Sequence, residues 1–553
     1  MDRPLSRLSH ARRRARHLVV PIAVVVSVVA LLAGCDDGPV AEPTPSTEGP
    51  VADGGGGGEL VLAVSTDAGG VSPAGGSWSP STRQIARAVY DPLAAYDDNN
   101  QLQPELAASI EPDAEFTEWT IGLRPDVRFH DGTPLDAEAV RRNLEAQRGS
   151  PYAAALFAPV AAVTAVDPLT VVVTMRRPWS TFAHALTGQS GSIAAPATLD
   201  APDGAFGPVG SGPFALVAWS RGASARFERN VSYWQEGAPR LDAVDVQVVP
   251  DEATRTDGLL AGRFDLALTD DPRSVERLAV AAEAEQVQLA VDRDGESPKF
   301  TFVLNAGAMP FLDPIARQAL AAATDRIALH QAAFPDVLDR VKGPVSDGSL
   351  WFNDVAVPAH DVGRAREEAA RYEGFYGERL SFTLAVPTDA TSLRLASAWQ
   401  RQLAEAGIVV DLVPTPLPRA QADAASGRYQ AVLLPLFGSW HPDGWYPALH
   451  RSVMAPEGVP GANLARFGTG GIDDALDRAR TTEDFAAQVE DYRTVQAELM
   501  TGGAYLTVAR LAQAVGADDD VVDFTVWTTA SGRPGLPIEG GTVALSGLYI
   551  GSP

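Results

Sequence analysis

The sequence is short of cysteine, lysine and histidine. Among 553 residues, Cys35 is the one cysteine, and lysine occurs only at Lys299 and Lys342. A single thiol excludes a disulfide within the chain and any site that needs two cysteines. Of the eight histidines, only His441 and His450 in the body of the chain fall within ten positions of each other. That is not a helical spacing for metal ligands, so the sequence predicts no metal site.

Positive charge is scarce relative to negative charge. The chain has 44 Lys and Arg against 70 Asp and Glu, a formal net charge of −26. Residues 1–34 hold six arginines and one aspartate, so the remainder carries −31. This balance argues against nucleic acid as a partner and against binding to anionic lipid headgroups.

Signatures of catalysis are also missing. The sequence has no Gly-x-Ser-x-Gly elbow and no Gly-Lys-Ser/Thr phosphate loop. His130-Asp131-Gly132 has the composition of a turn, and we interpret it as structural. The alternative of a secreted lipoprotein hydrolase therefore has no nucleophile or carboxylate pair to support it, and we expect neither enzymatic activity nor a cofactor.

The N-terminus carries a targeting signal. Residues 18–33 are uncharged, follow the arginine-rich segment Arg12 to Arg16, and end in Leu32-Ala33-Gly34-Cys35. A basic segment, a short apolar run and small residues are typical of a secretory signal peptide, here residues 1–34. The run is short of the roughly 20 residues that a spanning helix needs. The alternative is an uncleaved membrane anchor with an incidental cysteine.

The last four of these residues resemble a bacterial lipobox. That resemblance implies that the thiol of Cys35 is acylated and that the protein is lipid-anchored on the extracytoplasmic face of the cell membrane. Residues 36–58 are rich in Pro, Gly, Ser and Thr and have no aromatic residue. Such a segment cannot bury enough surface to fold, so 35–58 is predicted to be a lipidated cysteine followed by a disordered tether.

The folded body is predicted to begin at Glu59 with an apolar strand over 59–64. A loop rich in Gly, Ser and Pro follows and carries Trp78. A helix is expected over 81–89, with Ser81 or Thr82 as its cap.

The stretch 90–147 holds the most informative pattern. It predicts a proline-started helical turn at Pro104, then an alternating strand over 118–123 whose Trp119, Ile121 and Leu123 share one face. A helix opened by Asp136 follows a tight turn.

The pieces of this stretch are Tyr90-Asp91-Pro92-Leu93, Pro104-Glu105-Leu106-Ala107, Trp119 to Arg124 and Val127 to Leu135. In order and spacing they closely resemble the signature region of the family-5 solute-binding proteins of ABC importers, the oligopeptide, dipeptide and nickel class. The resemblance continues through VGSGPF at 209–214 and the segment 301–328, and covers about 59–553.

The resemblance implies an α/β fold with two lobes, the periplasmic-binding-protein-like fold of class II type. Lobe one would carry an extra subdomain, and crossovers would form a hinge, one of them at 292–298. The implied boundaries are 59–90, 209–296 and 505–553 for lobe one, 91–208 for the subdomain, and 297–504 for lobe two.

The resemblance also implies the function. A monomeric protein would enclose a solute between its lobes and deliver it to the transmembrane subunits of an ABC permease, without making or breaking a bond. The expected ligand is a peptide or peptide-like molecule, with an oligosaccharide or glycoside and then a metal chelate as alternatives. Some relatives act as receptors or chaperone-like surface proteins, and the sequence does not separate these roles.

The best candidate for ligand contact is the aromatic stretch 433–446, with Phe437, Trp440, His441 and Trp445. Peptide-binding members of the family often have an aspartate here that pairs with the peptide ammonium group. Aligning Pro442-Asp443 with their Pro-Asp puts Trp440 in the place of that aspartate. An indole there would stack on a sugar ring or an apolar group, or face a cation.

Three further residues are weaker candidates. Trp78 could approach the cleft from lobe one, Ser211 lies in the glycine-rich turn, and Asn305 stands at the end of a strand that enters lobe two. Each has a structural alternative: core packing for Trp78, a turn for Ser211 and Asn305.

Overall fold

The protein is described by a computed structural model that covers residues 57–67, 70–150, 153–201, 207–292, 297–334, 341 and 343–551. The expected signal peptide, the lipidation site at Cys35 and the tether up to residue 56 lie outside the described residues. Residues 55–553 form a compact unit. Within the described part, no helix combines the length and the apolar character needed to span a membrane.

Lobe one is built on a mixed seven-stranded sheet. Its central strand, Glu59–Val64, has the predicted bounds and pairs in parallel with strands on both sides. Four of its six residues are buried, as expected for a strand covered on both faces. In spatial order the strands are Gln288–Val291, Ala514–Ala517, Leu266–Thr269, Glu59–Val64, Ala243–Val248, Ser224–Arg229 and Phe214–Ser220. The helices of this lobe are Pro80–Val89, Glu252–Leu260 and Pro272–Glu283, and a short ribbon joins Val521–Val522 to Tyr549–Ile550.

The subdomain is an antiparallel four-stranded sheet with one main helix, Ala137–Gly149. The predicted face of Trp119, Ile121 and Leu123 is confirmed, since all three are buried in its core. Asp136 caps the helix as predicted, accepting a hydrogen bond from the amide of Ala139 at 2.9 Å. The strands run in the order Ala107–Pro112, Glu118–Leu123, Thr170–Met175 and Val160–Asp167, with a ribbon of Ala94–Tyr96 and Leu102–Pro104 and short helical turns at Phe182–Leu186, Gly188–Gly191 and Pro196–Leu199.

Lobe two is built on a five-stranded sheet. Its strands are, in spatial order, Val409–Pro414, Ser381–Val386, Ala431–Leu436, Lys299–Leu304 and Tyr505–Arg510. Its helices are Pro314–Ala323, Arg326–Ala333, Val362–Tyr376, Ala390–Glu405, Leu417–Ala425, Tyr446–Leu449, Gly470–Ala479 and Phe485–Gly502, with 3-10 turns at Pro442–Trp445 and Arg451–Val453.

The chain passes from one large sheet to the other after Val291 and again after Arg510. Described residues of the two passages are hydrogen-bonded to each other: the amide of Asp292 donates to the carbonyl of Gln513 at 2.9 Å, and the amide of Leu511 donates to the carbonyl of Pro298 at 2.8 Å. The expected return to lobe one at residue 505 was too early. Strand Tyr505–Arg510 pairs with Lys299–Leu304 in lobe two, so the chain re-enters lobe one only after it.

Two local expectations were also wrong. Pro104 starts no helical turn, because it ends a strand that pairs with Ala94–Tyr96. The first helix begins one residue earlier than predicted, at Pro80, and its cap is Ser79, whose hydroxyl accepts from the amide of Thr82 at 3.2 Å. Proline suits the first helical position because it has no amide hydrogen to leave unpaired.

The first helix is tied to the C-terminal segment by a buried glutamine. The side-chain amide of Gln84 donates to the carbonyl of Val543 at 2.9 Å, and its oxygen accepts from the amide of Val543 at 2.9 Å. Gln84 is fully buried, so both bonds are shielded from water. The pair of bonds sets Arg83, on the same helix, beside Gly540.

A buried ion pair joins the subdomain to lobe two. The guanidinium of Arg480 donates to both carboxylate oxygens of Asp443, at 2.5 and 3.0 Å, and the side chains are each 4% exposed. From the subdomain, the indole of Trp179 donates to the same carboxylate at 2.9 Å. The amide of Ser180 donates to the carbonyl of Arg480 at 2.8 Å. We call Asp443, Arg480 and Trp179 the lobe latch.

Replacing Arg480 by Met should destabilise the protein strongly. The substitution leaves the carboxylate of Asp443 buried without its cation, which costs about 3–5 kcal/mol in comparable cases. Urea unfolding of the body from residue 57 measures the difference. The control is Arg141→Met, which removes an exposed i,i+3 pair with Glu138 and should cost less than about 1 kcal/mol. Equal losses in the two variants would contradict the assignment.

Candidate functional site

The aromatic stretch begins where strand Ala431–Leu436 ends. Phe437 has a φ of 60°, a left-handed conformation that turns the chain out of the sheet. The ring of Phe437 packs against Trp445 and Tyr505, with centroids 5.8 and 5.4 Å away. The fully buried Lys299 donates from Nζ to the carbonyl of Phe437 at 3.0 Å. These contacts hold a backbone conformation that is otherwise unfavourable for a non-glycine residue.

The next residues form a tight loop. The hydroxyl of Ser439 donates to the carbonyl of His441 at 2.7 Å, and the amide of Asp443 donates to Nδ1 of His441 at 3.1 Å. His441 and Asp443 are buried by this folding, whereas Trp440 is only half-buried. The loop thereby presents the indole of Trp440 outside the core of lobe two.

Trp440 lines two adjoining cavities between lobe two and the rest of the protein. One has a volume of about 380 Å³ and the other about 290 Å³. Both are lined by Tyr96, His184, Trp440 and His441, and we call them together the cleft. The first is within the range of small-ligand sites and the second close to its lower end. The larger cavity also takes residues from lobe one, namely Arg83, Glu539 and Gly540.

The subdomain faces the loop with two aromatic residues. The imidazole of His184 stacks on that of His441, with ring centroids 4.1 Å apart. The hydroxyl of Tyr96 lies 2.9 Å from Nδ1 of His184, and its ring lies 6.0 Å from that of Trp440. On the other side of His441, Trp351 makes an edge contact at 4.5 Å. The wall of the cleft is therefore a continuous aromatic surface from both sides.

The charged side chains of the larger cavity are Arg83, Asp443 and Glu539. Asp443 is neutralised within the lobe latch. Glu539 pairs with Arg87 at 2.9 Å. Arg83 makes one long bond, 3.4 Å, to the carbonyl of Gly540. Among the described residues no carboxylate lies within ion-pair distance of Arg83.

Gly540 makes room for Arg83. It has a φ of 55°, and a Cβ atom there would lie 1.6 Å from Nη1 of Arg83. A side chain at this position would therefore displace the guanidinium. The amide of Gly540 donates to the carboxylate of Asp292 at 3.0 Å, which connects the cleft to a hinge crossing.

The two stacked imidazoles are held neutral. Burial lowers the pKa of His184 to about 4, although the nearby Asp443 opposes the shift. Burial, followed by the neighbouring His184 and Arg480, holds the pKa of His441 well below its usual value. Burial raises the pKa of Tyr96, and Glu539 and Asp443 add to the effect. At neutral pH the aromatic wall therefore carries no charge.

The predicted site residues divide into two groups. Trp440 and His441 line the cleft. Phe437 and Trp445 belong instead to the core of lobe two, 8% and 3% exposed. They were predicted as ligand contacts because a sequence shows aromatic clustering but not which rings turn inward.

The weaker candidates lie inside the lobes. The side-chain amide of Asn305 donates to the carbonyls of Gly427 and Tyr429, and its role is that of a turn former. The hydroxyl of Ser211 donates to the carboxylate of Asp91 at 3.2 Å. Trp78 is 6% exposed in lobe one and lines a small cavity next to the cleft.

Several cleft residues were not found from the sequence. Tyr96, His184, Arg83 and Glu539 come from four separate segments, and none stands in a local motif. The one available signal was the Gly540-Gly541 pair after Glu539, which indicates a close backbone approach.

Other sites are less suitable. Among the described residues, no group of three or more His, Cys, Asp or Glu side chains is arranged to hold a metal ion. A groove of about 660 Å³ involves Arg124, Trp234 and Trp527 and takes no residue from lobe two. It cannot couple ligand binding to contact between the lobes.

Replacing His184 by Phe should reduce the acid sensitivity of folding. Because the folded-state pKa of His184 is about 4 and the unfolded value about 6.5, the unfolded chain binds the extra proton as pH falls. Stability is thus lost between pH 6.5 and 4. The variant keeps the stacked ring. Across this pH window its free energy of unfolding should fall by roughly 1–3 kcal/mol less than that of wild type, as measured by urea unfolding at each pH.

Phe375→Leu is the control for the pH series, because Phe375 is 67% exposed and carries no titratable group. Its pH profile should be parallel to that of wild type. A profile for His184→Phe that is parallel to wild type would show that His184 is not the group responsible.

The sequence is similar to those of known solute-binding proteins. A family model described as "Bacterial extracellular solute-binding proteins, family 5 Middle" matches residues 101–453. The glutathione-binding protein GsiB of Escherichia coli O1:K1 is 27% identical over 468 residues, which cover 79% of this chain and 86% of that protein. Its counterpart in Pectobacterium atrosepticum is 26% identical over 470 residues, covering 82% of this chain and 88% of that protein.

A solved structure shows the same fold. The binding protein AgaA of A. tumefaciens R10, in complex with agropinic acid, has a TM-score of 0.77 and 24% identity, covering 90% of this chain and 99% of that one. The predicted two-lobed α/β fold is confirmed. These relatives are binding proteins and not enzymes. The family model spans well over half of the sequence, so the chain belongs to the family-5 bacterial extracellular solute-binding proteins and is a substrate-binding protein of an ABC importer.

Proposed function

We propose that the cleft binds a short peptide or a peptide-like zwitterion. The observation that carries the proposal is the charge distribution of the larger cavity. Asp443 is neutralised by Arg480 and Glu539 is paired with Arg87, so Arg83 is the charged side chain of this cavity that has no carboxylate partner among the described residues. The carboxylate of a zwitterionic solute can pair with Arg83 and its ammonium group can share Glu539 with Arg87, whereas a neutral sugar would leave Arg83 uncompensated.

The rest of the cleft suits amide groups. Gly438, Ser439, Gly188 and Ser190 line the larger cavity with small side chains, so a ligand can approach the backbone there. Trp440 cannot pair with an ammonium ion, and the acidic group available for one is Glu539, which the ammonium ion would share with Arg87. Glutathione, the ligand of GsiB, and the peptide STSA, which the DppA protein of Helicobacter pylori binds, belong to this class of solute.

One observation favours a second candidate. Trp440 is half-buried and lines both cavities, which is the arrangement of an aromatic platform for a sugar ring. An oligosaccharide or glycoside is therefore the alternative ligand. No feature of the cleft gives comparable support to a metal chelate, and nickel with histidine is included in the ligand panel for that reason.

We expect glutathione or a di- to tetrapeptide to bind the body from residue 57 with measurable heat in isothermal titration calorimetry. Trp440→Ala should weaken that binding roughly 3- to 30-fold, because it removes ring contact worth about 0.5–2 kcal/mol. The panel also contains maltotriose, cellobiose and nickel with histidine.

The matched control is Trp219→Ala, which removes an indole of lobe one that does not line the cleft. It should leave the affinity unchanged. Binding of a sugar and of no peptide would overturn the proposed ligand class. Equal binding of a peptide and its N-acetylated form would remove the role given to Glu539.

We also propose that the protein is anchored by lipid at Cys35 and works outside the cytoplasmic membrane beside its permease. The lipobox-like ending of the signal peptide and the tether composition support this. An anchor at the far end of the predicted tether would keep the body close to the permease while leaving it free to turn.

Replacing Cys35 by Ser should release the protein. Without the thiol there is no site for acylation, and one lost anchor removes the membrane affinity that the acyl chains supply. Cell fractionation after labelling with an alkyne fatty acid measures both effects. Ser46→Ala, in the tether, should stay labelled and membrane-bound. A Cys35→Ser protein that still fractionates with membranes would point to an uncleaved anchor.

A further inference from the structure

Lobe one and its subdomain enclose a small cavity that shares a wall with the cleft. Its volume is about 90 Å³. Arg83, Gly188 and Glu539 line both the cavity and the cleft, so they form the boundary between them. The cavity also takes Trp78, Arg87, Tyr90, Asp91 and Glu105.

The carboxylates of the cavity already have donors. Asp91 accepts hydrogen bonds from Tyr233 at 3.0 Å, Trp234 at 2.8 Å and Ser211 at 3.2 Å. Glu105 accepts from the amide of Ala530 at 2.9 Å and the side chain of Gln235 at 3.2 Å.

One of these acids is uncharged. Burial raises the pKa of Glu105 to about 8, so it is mainly protonated at neutral pH. Burial also raises the pKa of Asp91, against three hydrogen bonds that lower it. Glu105 therefore adds little repulsion to an anion in the cavity.

The unpaired groups of the cavity are donors. The indole Nε1 of Trp78 and the hydroxyl of Tyr90 are buried and have no hydrogen-bond partner among the described residues. The two residues are 6% and 3% exposed, and their rings stack with centroids 6.5 Å apart. A buried donor without a partner costs about 1–3 kcal/mol of folding free energy, so we expect each of these two groups to have a hydrogen-bond acceptor. The guanidinium of Arg83 adds positive charge on the same wall, whereas the charge of Arg87 is offset by its ion pair with Glu539.

We propose that this cavity is the seat of a carboxylate of the transported solute, bound by Trp78, Tyr90 and Arg83. This inference rests on the proposed function and names the end of the solute that enters lobe one. Arginine is suited to such a carboxylate because its planar donors match the two oxygens.

The size of the cavity supports a terminal group and excludes a larger one. Its volume corresponds to about three water molecules at roughly 30 Å³ each, enough for a carboxylate and one methylene. The body of the solute would remain in the cleft, beside Trp440. A cluster of ordered waters is the other occupant of suitable size, and the experiment separates the two.

The probe is sodium acetate, with acetamide as its neutral counterpart. All ten tryptophans are labelled with 15N at the indole nitrogen in the body from residue 57, and Trp78→Phe assigns the signal of Trp78. Acetate should move that signal with saturation, and acetamide should not. Tyr90→Phe removes one hydrogen-bond donor to the acetate carboxylate and should lower the affinity for acetate about tenfold or more.

Tyr492→Phe is the matched control. Its hydroxyl is also buried and unpaired among the described residues, but it lies in the core of lobe two. It should leave the acetate response unchanged. An acetate titration that does not move the Trp78 signal would overturn the proposal, and so would the same acetate affinity in Tyr90→Phe; both outcomes would leave water as the occupant.

A second arm separates this proposal from the proposed ligand class. A peptide that binds wild type should move the Trp78 signal. Converting its C-terminal carboxylate to an amide should lower its affinity at least tenfold. If a peptide and its C-terminal amide bind with equal affinity and neither moves that signal, the proposed ligand class is supported and the carboxylate seat is refuted. If acetate moves the signal and no peptide binds, the carboxylate seat is supported and the ligand class is refuted.

Discussion

The carboxylate of Asp443 is the point on which the cleft depends. It receives two bonds from Arg480 and one from Trp179, and all three side chains are buried. Burying an ion pair is favourable only when its hydrogen bonds are made well, and here the third donor comes from the subdomain. The contact between subdomain and lobe two is therefore specified by charge, not by apolar area alone. Since Asp443 follows the cleft loop directly, the same bonds fix where Trp440 points.

Around this carboxylate, the uncharged and the charged groups of the cleft come from different parts of the protein. Lobe two and the subdomain supply an aromatic wall in which His184 and His441 are held neutral. Lobe one supplies the remaining charged groups, namely Arg83 and the ion pair of Glu539 with Arg87. A solute that bridges the cleft would touch both surfaces only while the lobes are in contact, and such a solute favours the closed arrangement. Where the chain passes between the large sheets, backbone hydrogen bonds join Asp292 to Gln513 and Leu511 to Pro298.

Much of the fold could be predicted because its signals are local. The strand at 59–64, the buried face of Trp119, Ile121 and Leu123, and the cap at Asp136 follow from periodicity and capping chemistry. The boundary at 505 could not be predicted, because an apolar strand carries no mark of the sheet it joins.

The site was predictable only where it is contiguous. The loop around Trp440 could be found because its aromatic residues are close in sequence. Arg83, Tyr96, His184 and Glu539 could not, since their proximity is produced by packing between segments hundreds of residues apart. The same limit explains why Phe437 and Trp445 were predicted as ligand contacts although they lie in the core. Their burial depends on a left-handed turn and on Tyr505.

The most direct test of the account is the distance between subdomain and lobe two, with and without solute. The body lacks cysteine, so Val166→Cys and Val409→Cys, both at exposed positions, give two unique sites for spin labels. Pulsed electron paramagnetic resonance should show a broad distance distribution that becomes shorter and narrower with glutathione or the tightest-binding peptide of the panel. In Trp179→Phe, which lacks the bond to Asp443, the shift should be smaller. A solute that binds tightly and leaves the distribution unchanged would contradict capture between the lobes.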